Sequence, residues 1–333
     1  MRTALRPFAL AFATILVAAA CSSGASPSTG FTAPPSTAAT VAPSVAPSAS
    51  ASEAATTAPT AAPTEAPSAS AAACAPDQFK TVAAGTLTIG TDNPAYPPYF
   101  DPSSPNPSPW ELGDPTNGRG FESAVAYAIA DKLGFAKDAV AWTYVPFNNA
   151  FAPGAKNFDF DINQVSWKKE RAQTVDLSRG YYFVSQAVVA IKGSPLSKVT
   201  TISGLKPFQF GAQVGTTSYD TIVNVIAPEK EPRVYDTNDA AIEALKNKQI
   251  DGLVVDLPTA FYVTAAQMDN GVIVGQFPQA QGEGEYFSVV LQKDSPLTQC
   301  VDQAILSMRA DGTLDQITRT WMSDKASAPV FQP

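Results

Sequence analysis

Asp251-Gly-Leu-Val-Val-Asp256 is a short run without a polar face, closed at each end by a carboxylate and followed by Pro258. Such a run reads as a strand buried on both sides, the kind that an α/β sheet places between layers of helices. Proline is tolerated in the first turn of a helix, where its missing N–H has no partner to lose, so Pro258 predicts a helix directly after the strand. The same grammar extends outward. Gly85-Thr-Leu-Thr-Ile-Gly90 predicts a strand, and residues 121–133 predict a helix in which Val125, Ile129 and Leu133 recur every four positions before Gly134 stops it. Further strands are expected over 141–145, 159–165, 184–191, 208–213 and 287–292, and helices over 216–225, 239–247 and 297–308. Strands and helices in alternation imply an α/β fold with mixed, mostly parallel sheets. Residues 101–120 are rich in Pro and Gly without periodicity and are expected to form a long loop, whose Trp110, Glu111 and Asp114 are candidate lid residues.

The 333 residues carry a formal net charge of −8 and contain no histidine. An acidic chain without a Lys/Arg stripe argues against nucleic acid as a partner. The lack of histidine excludes Ser-His-Asp and Cys-His catalysis and removes the commonest metal ligand. Cys21, Cys74 and Cys300 are too far apart for a CxxC site, so neither a metal nor a cofactor is expected.

Arg2 and Arg6 precede an apolar run over 8–20, which ends at Cys21. This layout is that of a signal peptide over 1–20, and the run is short for a membrane span. Val17-Ala-Ala-Ala-Cys21 resembles a bacterial lipobox. That resemblance implies cleavage before Cys21, lipidation of its sulfur and attachment to the cell membrane; ordinary cleavage with a bare Cys21 is the alternative. Residues 22–73 are almost entirely Ala, Ser, Thr and Pro, with Glu53 and Glu65 as their only charges. They lack the large apolar residues that offset chain entropy, so 21–73 is expected to be a disordered, anchored spacer. Cys74 and Cys300 remain as an even pair in an oxidising compartment and are expected to form a disulfide, with two free thiols as the alternative.

Four stretches together resemble the extracellular solute-binding proteins of family 3, the polar amino acid receptors of ATP-driven importers. They are Thr88–Asp92 with Ala95-Tyr-Pro-Pro-Tyr-Phe100; Gly120-Phe-Glu-Ser-Ala-Val-Ala-Tyr-Ala-Ile-Ala130; Asn157-Phe-Asp-Phe-Asp161 through Arg171 to Ser178; and Asp251–Asp256. The resemblance implies a two-lobed type II periplasmic-binding-protein fold with a ligand cleft between the lobes. Lobe 1 would comprise 74–190 and 286–333, lobe 2 would comprise 191–285, and the hinge would lie near 187–192 and 286–293. It implies a monomer outside the cytoplasm that closes on an amino acid and meets an importer permease. A few relatives are dehydratases, so an enzyme using a cleft carboxylate is the alternative.

A free amino acid is a zwitterion, so its pocket needs a cation or N–H cluster and an anion. Arg171 suits the carboxylate because its guanidinium forks match two oxygens; a surface pair with Glu170 or Asp176 is the alternative. Ser166 aligns with a family position that touches the same ligand. Gln164 departs from the small polar residue usual there, and Trp167-Lys-Lys-Glu170 departs from Ile-Thr-Pro-Glu. Thr216 and Thr217 open a helix after a strand and offer N–H groups to an anion, or serve as a plain cap. Asp256 ends an apolar strand and needs a partner that a ligand ammonium would supply, unless it caps the next helix. Asp92 is placed to meet the ligand's side chain, a basic or amide group. Tyr96 and Phe147 would flank the ligand's aliphatic part, with the core as the alternative for both. Glu285 is a further candidate beside the hinge.

Overall fold

The computed structural model describes residues 74–75, 78, 80–279, 284–322 and 327–333. The expected signal peptide, Cys21 and the spacer lie outside the described residues. The chain divides into Met1–Pro63 and Thr64–Pro333, and all described residues belong to the second unit.

The ordered part begins with β1 (Leu87–Thr91), α1 (Phe121–Lys132), β2 (Val140–Tyr144), α2 (Phe147–Ala150), β3 (Phe160–Asp161), β4 (Val175–Leu177) and β5 (Tyr182–Phe183). Next come β6 (Gln186–Ile191), α3 (Ile202–Leu205), β7 (Phe210–Gln213), α4 (Thr217–Thr221), β8 (Arg233–Tyr235), α5 (Asn238–Lys246), β9 (Gly252–Asp256), α6 (Leu257–Tyr262) and β10 (Gly271–Gln276). The last elements are β11 (Tyr286–Phe287), β12 (Val290–Gln292), α7 (Thr298–Ala310) and α8 (Thr313–Met322).

Two five-stranded sheets result, in the orders β2-β1-β3-β12-β4 and β10-β6-β9-β7-β8. Parallel pairing joins β1 to β2 and β3, and β7 to β8 and β9. β12, β6 and β10 join antiparallel, so both sheets are mixed, as the α/β reading expects. The reason is connectivity: β6 and β12 are the strands by which the chain enters the second sheet and re-enters the first.

In the first sheet, Leu87 and Ile89 of β1 pack with Phe121, Val125 and Ile129 of α1, all fully buried. α1 starts at Gly120, where φ is +92° and a Cβ would stand 2.5 Å from the Tyr99 carbonyl oxygen, so a side chain there would block the helix entry. It stops at Leu133, and Gly134 follows at φ +81°, the left-handed turn expected past a helix end. In the second sheet, Leu253 and Val255 of β9 face one core while Val254 faces another, the two-sided burial read from the sequence.

The expected strand over 159–165 is only β3, because Gln164 adopts φ +49° and breaks the extension. The expected helix over 216–225 is α4 continued by a π-helical turn over Ile222–Ile226. The sheets are joined where β5 and β11 pair antiparallel, Tyr182 opposite Phe287 and Phe183 opposite Tyr286. β6, across which the expected boundary at 190/191 falls, lies wholly within the second sheet. The tail also crosses over: Val330 bridges to Gln276, Gln332 bridges to Thr201, and Phe331 is buried in the second sheet's core. Cys74 and Cys300 form a disulfide with 5.5 Å between their Cα atoms, tying the first described residue to α7.

Candidate functional site

A cavity of about 370 Å³ lies between the two sheets, and all nine side chains proposed from the sequence line it. They arrive from opposite sides. Asp92, Tyr96, Phe147, Gln164, Ser166 and Arg171 come from segments around the first sheet, and Thr216, Thr217 and Asp256 from strand ends and helix starts of the second.

Arg171 opens a short 3₁₀ turn and is 6% exposed. Its Nη1 donates to the Ser166 carbonyl at 2.5 Å and its Nη2 to the Gly215 carbonyl at 2.7 Å. The guanidinium lies over Phe151, 4.3 Å from the ring centre, with Phe147 at 5.7 Å. Two carbonyls and two rings fix its plane, and each terminal nitrogen keeps a second N–H. Burial lowers its pKa to about 10, which leaves it charged at neutral pH. Asp176, one of its sequence neighbours, pairs instead with Lys293 at 3.1 Å. Phe147 therefore stacks beneath the cation as well as lining the cavity.

The α4 start sits beside the guanidinium. Thr216 donates its hydroxyl to the Gln213 carbonyl at 2.7 Å and accepts from the Tyr219 N–H at 3.2 Å, so the hydroxyl acts as the helix cap. What it offers the cavity is backbone. The Thr217 hydroxyl is free of capping and reaches Ser166 Oγ at 3.4 Å. Gly215 holds φ +77°, and a Cβ there would lie 2.5 Å from Asn148 Oδ1.

Asp256 ends β9 at the N-cap position of α6, yet its side chain makes no capping bond. It accepts from Gln186 Nε2 at 2.6 Å and has no cationic partner within salt-bridge distance among the described residues. Burial, then the nearby Glu285 carboxylate, holds its pKa well above the usual carboxylate range.

At the other end, Asp92 accepts from the Asn93 N–H at 2.8 Å, and burial raises its pKa against the lowering effect of backbone N–H groups. The Tyr96 hydroxyl donates to Asp239 of α5, and its ring packs against Tyr262 at 5.9 Å. Gln164 lines the cavity but turns its amide to Glu122, to which its own N–H also donates at 2.7 Å. Asn93 ties the long loop to the rim through the Pro109 carbonyl at 2.9 Å and the Glu111 N–H at 3.0 Å. Within that loop Trp110 is buried, and Asp114 caps the turn Pro115–Asn117, so both serve the loop's own structure.

Residues the sequence reading passed over include Gln186, Asp239 and Glu122. Glu122 is fully buried in the first turn of α1 and accepts from Gln164 and the Tyr181 hydroxyl; burial pushes its pKa up to about 7. An acid one residue after a helix-opening Gly-Phe was its only signal. No group of three or more His, Cys, Asp or Glu positioned to hold a metal occurs among the described residues.

The L-cystine-binding protein TcyJ of Escherichia coli (strain K12) is 26% identical over 244 residues, covering 73% of this chain and 84% of that protein. The arginine-binding extracellular protein ArtP of Bacillus subtilis (strain 168) is 23% identical over 256 residues, covering 76% and 95%. Among solved structures, an uptake transporter substrate-binding protein from Streptococcus pneumoniae with bound histidine superposes with a TM-score of 0.56 at 25% identity, covering 73% of this chain and 95% of that one. The fold is thus that of a type II periplasmic binding protein. Residues 102–324 match the bacterial extracellular solute-binding proteins, family 3, and the chain belongs to that family.

Proposed function

We propose that this protein captures a free amino acid outside the cytoplasm and presents it, closed between two lobes, to the permease of an ATP-driven importer. One observation carries the reading. A single cavity holds a buried guanidinium with spare N–H groups, Arg171, and a carboxylate without a cation, Asp256. That pairing of opposite charges suits the two ends of a zwitterion. The nine residues named from the sequence are the ones we assign to the ligand: Arg171, Ser166, Thr216 and Thr217 at its carboxylate end, Asp256 near its ammonium, and Asp92, Tyr96, Phe147 and Gln164 along its side chain.

The side-chain end is acidic. Asp92, Asp236 and Asp239 line it, and Arg171 is the only Lys or Arg among the described residues of the lining. A basic or amide side chain fits this field better than an acidic one. A binding role rather than an enzymatic one is supported by the relatives' descriptions as binding proteins. The two lobes we assign follow the sheets, with β6 to β10 and the tail from Pro329 forming the second. We further propose that Cys21 carries the lipid anchor; no helix among the described residues is long and apolar enough to cross a membrane.

The test is a thermal-shift screen of the common amino acids. A ligand at a hundredfold excess over its Kd stabilises by about 2.7 kcal/mol. A basic or amide amino acid is expected to raise the melting temperature by several degrees. If none of the amino acids moves it, the reading fails.

A further inference from the structure

Ser166, Thr217, Gln186 and Glu285 form a closed ring of hydrogen bonds at the junction of the lobes. The Ser166 hydroxyl donates to Glu285 Oε1 at 2.6 Å, and the Thr217 hydroxyl reaches Ser166 Oγ at 3.4 Å. Gln186 Nε2 lies 3.4 Å from Thr217 Oγ1, 3.1 and 3.2 Å from the two Glu285 oxygens and 2.6 Å from Asp256 Oδ1. The Gln186 carbonyl is engaged by the Ser218 hydroxyl at 2.7 Å, which fixes the amide with its NH₂ toward the carboxylates. Gln186 opens β6, and Glu285 immediately precedes β11, so both sit on the chain segments that connect the lobes.

The donors do not suffice. One NH₂ has two protons and faces two carboxylates and a hydroxyl. A second carboxylate that competes for the same amide disfavours the charged form of Asp256.

We propose that Glu285 is a positioning residue for the ammonium end of the site, acting through Gln186. By sharing Gln186 with Asp256, it favours the protonated form of Asp256 until a ligand ammonium replaces that proton. Binding is thereby coupled to release of that proton to solvent, and the ligand's amine enters and stays as ammonium. Arg171 is the cation that also faces Asp256, while Glu122, Tyr99 and Tyr182 face it from α1, the segment after β1, and β5. Burial and the neighbouring Glu285 both favour the protonated form of Asp256, in keeping with the geometry. The inference rests on the amino acid reading, since it needs a cationic group in the cavity.

The test is titration calorimetry of the intact protein with the best amino acid from the screen, near neutral pH, in buffers of different ionisation enthalpy. Wild type is expected to release about one proton per ligand bound, with affinity rising as pH rises. Glu285→Gln is expected to release measurably less of that proton, with the rise in affinity moved to lower pH. A role in folding alone would alter affinity without altering the proton count. Ser166→Ala, which keeps both carboxylates, is expected to weaken binding while retaining the release. If Glu285→Gln releases the same proton as wild type, the inference is overturned while the binding reading stands. If Glu285→Gln does not fold, Gln186→Leu, which unlinks the carboxylates, must change the count or the inference falls. If wild type binds no amino acid, both fall together.

Discussion

Arg171 Nη2 donates to the Gly215 carbonyl at 2.7 Å, so a cation from the first lobe grips the backbone just ahead of α4 in the second. The bond has two consequences. It aims the guanidinium across the cavity, and it makes the orientation of that cation depend on closure of the lobes. Opening of the lobes is expected to break the Gly215 contact and leave Arg171 held by the Ser166 carbonyl and the Phe151 ring.

Arg171→Ala removes the only Lys or Arg among the described residues that line the cavity. Charge-assisted bonds are worth about 1.5–3 kcal/mol each, so amino acid affinity is expected to fall by about a hundredfold or more. Arg171→Lys keeps charge but loses the fork and the second carbonyl contact, and is expected to recover only part of the loss. Calorimetry on both variants checks this.

Asp256→Asn is expected to weaken amino acid binding by about ten- to a hundredfold, because a buried ammonium loses its counter-charge. Stability without ligand is expected to hold or rise, since the carboxylate has no cation to lose. A joint measurement of Kd and unliganded melting temperature separates the two effects.

Asp161 is fully buried on β3, and neither of its oxygens has a hydrogen-bond partner among the described residues. Burial first, then Glu122 and Asp92, hold its pKa well above the usual range. Its folded pKa is raised, so the unfolded chain gives up this proton at lower pH than the folded one. Stability therefore declines as pH rises above the ordinary carboxylate range. Glu122 adds the same trend between its ordinary 4.5 and about 7. Asp161→Ala is expected to stabilise the protein by about 1–3 kcal/mol at neutral pH and to make little difference near pH 3, roughly, as read by melting curves across pH. A destabilised variant at neutral pH would mean that the carboxylate has a partner.

The Cys74–Cys300 bridge closes a loop of 226 residues. Chain entropy sets a ceiling of about 5 kcal/mol on its contribution. Neither cysteine lines the cavity. Reduction is expected to lower the melting temperature and leave ligand affinity unchanged.

Much of the fold was legible because its strands carry their burial in plain sight. Leu253-Val-Val255 faces two cores, and Val125 and Ile129 mark the buried stripe of α1. α8 escaped notice because Leu314, Ile317 and Met322 are spread among polar residues and only the partner helices α1 and α7 give them a core. Asp256 was legible as a charge that closes an apolar strand, and Arg171 as a guanidinium within the stretch that resembles the family's central signature. Glu285 was legible only as a candidate beside the hinge and Gln186 not at all, because their contact arises when residues 99 positions apart meet across the lobe junction. Thr216 shows the opposite limit, a residue named for the ligand whose hydroxyl is spent on the helix.

The central claim is that both ends of a zwitterion are held, and blocking each end in turn tests it most directly. The best amino acid, its carboxamide and its N-acetyl derivative should be titrated side by side by calorimetry. Each block is expected to cost at least about 2–3 kcal/mol, a loss of roughly thirty- to a hundredfold or more, by leaving Arg171 or Asp256 facing a neutral group. A derivative that binds as tightly as the parent would contradict the account.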